Sequence, residues 1–236
     1  MKVLFVFVLG LLSIKSCNVN FGNGEKGNRK IVSKEISIED YSVIETFGSA
    51  DVIYEQKDVA PYLRLVIDEN LIEYVSATVE SGVLTIRSTE QMKPTEYKIY
   101  TNSPNLSKVK IEGSTDVELR GTLNSDNLEI SLAGSGEVEA DNLQVKELIV
   151  EIQGASDVEL SGKATDCNIR VKGSGDVKAY NLEAKNVICR ISGSGDVNIH
   201  AVETLNVEIN GSGDVKYKGK PQITQSVRGS GTVKSK

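Results

Sequence analysis

The five residues Gly173-Ser174-Gly175-Asp176-Val177 decide the fold of this protein. The same phrase, always opened by glycine, occurs eight times, at Gly48, Gly113, Gly134, Gly154, Gly173, Gly193, Gly211 and Gly229. From Gly113 onward the intervals are 21, 20, 19, 20, 18 and 18 residues. An uninterrupted period of this length is typical of a solenoid, in which each copy forms one turn and buries its apolar side against its neighbours.

Apolar and polar residues alternate on both sides of each glycine. Before one glycine the apolar positions are Leu148, Val150 and Ile152, and after it the alternation resumes at Val158. A period of two is that of a β-strand with one buried face. The sequence therefore predicts an all-β fold: a single-stranded parallel β-helix of about six turns over residues 105–236. We expect it to be right-handed, because nearly all parallel crossovers have that hand.

The first glycine of the phrase is present in every copy, whereas Ala50, Thr115 and Ser156 replace the second glycine in three copies. We infer that only the first position excludes a side chain, because its backbone needs a positive φ angle or because successive corners stack closely there. A phosphate-binding loop is excluded, since no Gly-Lys-Ser or Gly-Lys-Thr sequence follows the phrase and no helix is expected after it.

An acidic residue occupies the fourth place of the phrase in six successive copies: Asp116, Glu137, Asp157, Asp176, Asp196 and Asp214. Stacked turns place these carboxylates in one column about 5 Å apart, where like charges repel. Either each carboxylate accepts backbone N–H bonds at its corner, or the column binds calcium. We favour the first, because calcium-binding nonapeptide repeats place an aspartate turn on both sides of each coil, and this chain has one per turn. No cofactor is expected, with calcium as the alternative.

Other metal-binding and nucleophilic residues are few. His200 is the only histidine and falls on an outward position, so no histidine-based triad or two-histidine metal site is expected. Cys167 and Cys189 fall on inward but non-equivalent positions of adjacent turns, which predicts free, buried thiols. The absence of tryptophan, 5% aromatic residues and a net charge of -6 argue against nucleic acid as a partner.

Residues 30–104 are expected to form a β-rich N-terminal region that includes the first copy of the phrase. Because Gly48 and Gly113 are 65 residues apart, this region contains an insertion, which we expect to cap the open first turn. Within the insertion, residues 79–86 predict a hairpin with Ser81-Gly82 at its turn. Residues 68–75 predict a short helix with Asp68 as its N-cap.

The C-terminal end has no comparable cover in the sequence. Lys234 and Lys236 would discourage edge pairing by their charge. Alternatively, this end is where another copy of the chain or a different partner docks, which would give end-to-end self-association.

The N-terminus predicts export and attachment to a membrane. Lys2 precedes the apolar residues 3–12, which are too few to span a bilayer, and Ile14-Lys15-Ser16-Cys17 resembles a lipoprotein cleavage site. We therefore predict a lipoprotein signal peptide at residues 1–16, lipid attachment at Cys17 and a flexible tether at residues 17–29. A plain signal peptide cleaved nearby is the alternative. Without residues 1–16 the net charge is -8, so the acyl chains alone would anchor the protein.

Residues 40–236 resemble an exported bacterial family known as putative auto-transporter adhesin, head GIN domain, common among Bacteroidetes lipoproteins. The resemblance is carried by Phe47-Gly48-Ser49-Ala50-Asp51-Val52, by residues 65–86 and by the serial Gly-Ser-Gly-Asp-Val phrases. It implies a β-helical domain and adhesion, and it brings no catalytic residues.

We therefore predict a non-enzymatic, envelope-anchored protein, adhesin-like or a structural scaffold, that binds a protein or polysaccharide along its flat faces. We expect it on the outer membrane, on the periplasmic side rather than the cell surface. The alternative is a polysaccharide lyase or hydrolase of the pectin-degrading β-helix class. Such sites need carboxylates in a cleft walled by long loops, whereas the turns after Gly113 differ in length by only a few residues.

Overall fold

The computed structural model describes residues 24–236, which are built almost wholly of β-strands. The predicted signal peptide and Cys17 lie outside the described residues. The N-terminal part contains β1 (Glu25–Lys26), β2 (Ile31–Ser37), β3 (Val43–Gly48), β4 (Asp51–Gln56), β5 (Tyr62–Asp68), a 3-10 helix (Glu69–Tyr74), β6 (Val75–Glu80), β7 (Val83–Ser88), β8 (Met92–Lys93) and β9 (Tyr97–Ser103). The stacked turns contain β10 (Lys108–Gly113), β11 (Asp116–Gly134), β12 (Glu137–Gly154), β13 (Asp157–Gly173), β14 (Val177–Gly193), β15 (Val197–Gly211), β16 (Val215–Lys218), β17 (Gln222–Gly229) and β18 (Val233–Ser235).

The long strands β11 to β15 each run almost a full turn, and each pairs in parallel with the next. Leu128 lies beside Leu148, and Gly134 lies beside Gly154, one repeat further along the chain. This confirms the predicted all-β, parallel β-helix of about six turns. Its right-handed sense stays a prediction of the crossover rule.

Each full turn has three faces, defined here on β11 and β12. The first face precedes the glycine corner (128–133), the second follows it (137–140), and the third comes after the next bend (142–147). The pairing register shifts at the bend between the second and third faces, for example between Ala140 and Leu143. Differences in repeat length are absorbed largely there, so the first face and its glycine corner stay in register.

Inward side chains of successive turns form columns in one continuous core. The column in the middle of the first face is Ile130, Val150, Ile169, Cys189 and Val207, none more than 4% exposed. Full burial of an aliphatic side chain stabilises by about 1.5–3 kcal/mol. The stacking of turns, each unable to bury this surface alone, therefore holds the rod together.

Both cysteines are free and buried, as predicted. Cys167 lies beside Val187 while Cys189 lies beside Ile169, so the two thiols occupy different columns. Burial raises the pKa of Cys167 to about 12 and also raises that of Cys189. Both side chains are protonated members of the core at neutral pH.

The N-terminal end is closed by strands that reverse the parallel stacking. β7 and β9 stack in parallel on β3 and β4 as one further partial turn. β6 and β5 then add antiparallel to them, and β2 adds antiparallel to β5. β6 and β7 are the predicted hairpin, with Ser81 and Gly82 at φ angles of 52° and 78° in its turn. The insertion therefore caps the first turn, as expected.

Asp68 does not cap the short helix, contrary to our prediction. Its carboxylate is buried and accepts the backbone N–H groups of Arg29 and Thr95, each at 2.6 Å. Burial acts to raise the pKa of this carboxyl, but the N–H donors outweigh it and the pKa lies below its ordinary value. Asp68 thus connects the start of the described chain to the cap instead of serving its own helix.

Residues 24–29, which the sequence places in the tether, are held against the cap. β1 pairs in parallel with β8. The Asn28 N–H donates to Asn70 Oδ1 at 2.9 Å, and the Asn70 amide donates to the Lys26 carbonyl at 2.9 Å. The chain is therefore fixed to the cap from Gly24 on.

Within residues 24–236, no element covers the C-terminal end of the rod. All residues of β17 are exposed. Ile223 and Val227 continue the inward columns of the preceding turn, yet they are 40% and 38% exposed. The last turn therefore presents apolar side chains and a free strand edge to solvent.

Candidate functional site

The corner between the first and second faces is built by the glycine column. Its eight members, Gly48, Gly113, Gly134, Gly154, Gly173, Gly193, Gly211 and Gly229, have φ angles between 126° and 148°. Only glycine adopts this region without strain. A Cβ on any of them except Gly48 would lie less than 3.0 Å from the carbonyl oxygen of the preceding glycine. Both the backbone angle and the close stacking therefore require glycine at this corner.

Close stacking also extends to the second glycine of the phrase. Cβ atoms on Gly175 or Gly195 would lie less than 3.0 Å from a carbonyl oxygen of the preceding turn. Thr115 and Ser156, which replace this glycine elsewhere, have buried hydroxyls without a hydrogen-bond partner in the described chain. The first position is therefore glycine in every copy, whereas the second is crowded in the copies that carry glycine and yet holds a side chain at Ala50, Thr115 and Ser156.

The acidic column at this corner forms a hydrogen-bonded ladder. In each step, one carboxylate Oδ1 accepts the backbone N–H of the equivalent residue in the next turn. The acceptors are Asp116, Asp157, Asp176, Asp196 and Asp214, and the donors are the N–H groups of Glu137, Asp176, Asp196, Asp214 and Thr232, at 2.7 to 3.0 Å. These bonds join neighbouring turns, whereas the sequence suggested bonds within each corner. They offset the repulsion between stacked carboxylates.

Glu137 interrupts the ladder. The N–H of Asp157 donates instead to the carbonyl oxygen of Gly136, at 3.2 Å. Burial, and then the charge of Glu139, raise the pKa of Glu137. At the other end, hydrogen bonds from the side chain and backbone of Thr232 lower the pKa of Asp214. A ladder hydrogen bond stabilises the ionised form of the carboxylate that accepts it. The carboxylate of Glu137 accepts no such bond, so its ionised form is not stabilised in this way.

A hollow of about 260 Å³ lies beside the start of this column. It is lined by acidic and basic side chains, among them Asp51, Glu118, Glu139, Lys98 and Arg120. Arg120 donates to both carboxylate oxygens of Glu118, at 2.6 and 2.8 Å. Within residues 24–236, no group of three or more His, Cys, Asp or Glu residues is placed to hold a metal ion. Five of the six carboxylates of the acidic column accept a backbone N–H of the next turn, and Glu137 is the sixth.

A groove of about 710 Å³ runs along the third face. It is lined by Asn105, Asn124, Ser125, Asp126, Gln144, Val145, Lys146, Lys163, Ala164, Thr165, Glu183 and Lys185. One column of its lining, Asn124, Gln144, Lys163 and Glu183, comes from four successive turns. This groove could not be predicted from the sequence, because it depends on which third-face residues become neighbours after the register shifts.

Hydrogen bonds fix the N-terminal end of the groove. The Gln56 side chain donates to the carbonyl oxygens of Pro104 and Asn124 and accepts the N–H of Asn124 at 2.7 Å. Lys146 forms an ion pair with Asp126 at 2.7 Å. Lys163 and Lys185 are exposed and form no ion pair within the described chain. The groove therefore presents amides, the ammonium groups of Lys163 and Lys185 and the carboxylate of Glu183, and none of these three charges is ion-paired within the described chain.

The carboxylates of the groove are too far apart for hydrolysis of a glycosidic bond. Asp126 and Glu183 lie three turns apart, or about 14 Å at about 4.8 Å per turn. Paired catalytic carboxylates are separated by about 5–9.5 Å. No observation in the groove therefore favours the polysaccharide hydrolase alternative.

The stacked turns, the antiparallel cap and the third-face groove define a single-chain β-helical protein with an elongated polar groove on its surface. The chain belongs to the family described as "Putative auto-transporter adhesin, head GIN domain", whose model matches residues 40–221. No helix in residues 24–236 is long and apolar enough to cross a membrane. Membership is consistent with a protein of the cell envelope or cell surface.

Solved structures of similar proteins share the whole fold. A "putative adhesin" from Bacteroides fragilis is 28% identical, with a TM-score of 0.86 over 90% of this chain and 100% of that chain. A "putative lipid binding protein" from Parabacteroides distasonis is 32% identical, with a TM-score of 0.75 over 89% and 98%. A "putative adhesin" from Parabacteroides merdae is 28% identical, with a TM-score of 0.74 over 89% and 98%. No curated protein matches the sequence.

Proposed function

We propose that this protein is a non-enzymatic, adhesin-like scaffold of the cell envelope that binds an acidic polysaccharide along the third-face groove. The observation that carries the proposal is the repetition of polar side chains over four successive turns of the groove. The turns are spaced by about 4.8 Å. A sugar residue in an extended chain advances by a similar length, so successive sugars would meet equivalent positions of the groove.

The charges and hydrogen-bonding groups of the groove favour an acidic polysaccharide over a neutral one. Lys163 and Lys185 point from neighbouring turns without carboxylate partners, and the amides of Asn124 and Gln144 can donate to hydroxyl or carboxylate oxygens. None of the groove residues is aromatic, so the stacking that usually holds neutral sugars is not supplied there. Each contact is weak, and several along one polymer would act together.

Attachment to the envelope completes the proposal. Cys17 would carry the lipid that holds the protein to the outer membrane, and the periplasmic side is favoured. Since the chain enters the fold at the cap, the cap would face the membrane and the groove would run away from it. Binding would then occur over most of the length of the rod.

The test is binding of purified protein to immobilised polygalacturonate, with amylose as the neutral polymer. We expect retention on polygalacturonate alone, and a loss of about tenfold in affinity for Lys163→Gln with Lys185→Gln. The matched control is Lys34→Gln with Lys172→Gln, which removes two exposed lysines outside the groove. Equal binding by both double variants, or none by the native protein, would refute the proposed site.

A further inference from the structure

The second face carries its charges in an order that the first face does not show. Its outward column consists of Glu118, Glu139, Glu159, Lys178, Asn198, Lys216 and Lys234, which are register neighbours on seven successive turns. We call this column the charged strip. Its first three residues are acidic, and three of its last four are lysines.

The first face arranges opposite charges next to one another. Lys108 pairs with Glu129 of the next turn at 2.9 Å, and Glu151 pairs with Arg170. Arg190 lies 3.8 Å from Glu208 of the following turn. Charges on the first face are therefore neutralised within one molecule.

The charged strip stacks like charges on like, and within residues 24–236 its one ion pair is that of Glu118 with Arg120. Glu139, Glu159, Lys178, Lys216 and Lys234 are exposed, and none forms an ion pair within residues 24–236. Like charges directly opposite on adjacent strands are destabilising, so this order costs the single molecule free energy. It becomes favourable when the strip meets a surface with the reverse order of charge.

We propose that the charged strip is the contact surface of a dimer in which two copies of this chain lie face to face and antiparallel. In that orientation Glu118 and Glu139 of each strip oppose Lys234 and Lys216 of the other, which gives four opposite-charge pairs. Glu159 opposes the neutral Asn198, and the two copies of Lys178 meet at the two-fold axis. A parallel dimer, with its two-fold axis along the rod, would instead place like charges opposite one another. The contact is self-complementary, as a closed two-fold dimer requires.

The size of the face predicts a weak dimer. Seven turns span about 29 Å, and the four residues of the second face together with the bend residue after them span about 16 Å. Two such surfaces bury about 900 Å² in total, which is at the small end for specific interfaces and typical of transient ones. Exposed ion pairs weaken as salt rises, and at about 1 M the screening length is only about 3 Å. The proposal uses the second face and does not depend on the groove.

The test is the mass of the chain from residue 24 on, which contains the whole described sheet, in sedimentation equilibrium at increasing concentration. One variant carries Lys216→Glu and Lys234→Glu, which makes the strip acidic except at Lys178 and the neutral Asn198. The other carries Glu139→Lys and Glu159→Lys, which makes it basic except at Glu118 and Asn198. The groove variant Lys163→Glu with Lys185→Glu has the same change in net charge as the first and is its control.

We expect the native chain and the groove control to approach twice the monomer mass, and about 1 M salt to return both to monomers. Each strip variant should be monomeric alone, and an equimolar mixture of the two should dimerise again. A monomeric native chain would overturn the proposal. A mixture of the two strip variants that stays monomeric would also overturn it. Strip variants that associate like the native chain would do the same, because association would then be explained by end-to-end contact. An acidic polymer that binds the basic half of a monomeric native chain would also overturn it.

Discussion

Replacing Gly193 by alanine tests whether the glycine column is needed for stacking or only for its backbone angle. Gly193 has a φ angle of 143°, and a Cβ there would lie less than 3.0 Å from the carbonyl oxygen of Gly173. That oxygen also accepts the N–H of Ser194 at 2.9 Å. Gly48 is the matched control, because its φ angle is 129° but the nearest atom to its Cβ would be Ser88 Oγ, at 3.8 Å.

The magnitudes follow from the separate contributions. A non-glycine residue held at such a φ angle costs about 1–3 kcal/mol, so Gly48→Ala should cost about 2 kcal/mol. At Gly193 the forced separation of two turns adds about 1–3 kcal/mol, and weakening of the Ser194 hydrogen bond adds about 1 kcal/mol. Gly193→Ala should therefore cost about 5 kcal/mol. Alanine also lowers the conformational entropy of the unfolded chain, which reduces the cost of each substitution by about 0.4–1 kcal/mol. This contribution is the same at Gly48 and Gly193, so it cancels in the difference between the two variants.

Thermal unfolding monitored by circular dichroism measures this difference. With about 2–4 °C lost per kcal/mol for a domain of this size, the midpoint should fall by about 6 °C for Gly48→Ala and about 15 °C for Gly193→Ala. Because turns of a solenoid open partly independently, hydrogen exchange of the Ser194 amide gives a second, local measurement. Equal losses at the two positions would show that close stacking contributes nothing, and the reasoning would then fail.

The remaining predictions concern the acidic ladder and the buried thiols. Asp196→Ala should lower the free energy of unfolding, measured in urea, by about 1–3 kcal/mol, because the N–H of Asp214 loses its acceptor. Asp196→Asn keeps an acceptor oxygen and should retain most of the stability. Equal losses in the two variants would contradict the ladder. The pKa of Asp214 is lowered in the folded state, so its contribution is present above the unfolded pKa of about 3.9 and is lost as pH falls towards the folded value. The stability difference between native protein and Asp214→Asn should therefore shrink below about pH 4, and a constant difference would oppose this. Because the pKa of Glu137 is raised in the folded state, its charge destabilises the fold at neutral pH, and Glu137→Gln should raise the unfolding midpoint at pH 7. Near pH 3 the carboxyl is protonated in the folded and the unfolded protein, so the midpoint should not change. A lowered midpoint at pH 7 would contradict this. Ellman's reagent should label neither Cys167 nor Cys189 in the folded protein and both in about 6 M urea, and rapid labelling of the folded protein would disprove their burial.

The sequence by itself determined the features that repeat locally. The alternation around Leu148, Val150 and Ile152 specifies which side chains face the core, since successive residues of a strand point to opposite sides. The invariant glycine specifies the sharp corner, because only glycine adopts its φ angle freely. A regular repeat then leaves parallel stacking as the way to bury one apolar face per turn. Fold class, free cysteines and the capping hairpin could all be predicted on this basis.

Only the tertiary structure decided which residues become neighbours across turns. Asp68 follows a strand and precedes a helix, so local rules predict an N-cap, yet Arg29 and Thr95 arrive from distant segments with better-placed N–H groups. The ladder bonds, the groove and the charged strip likewise join residues about 20 positions apart. The alignment of these residues depends on where the longer repeats accommodate their extra residues. That position is determined by the packing of the whole stack of turns and not by any single turn.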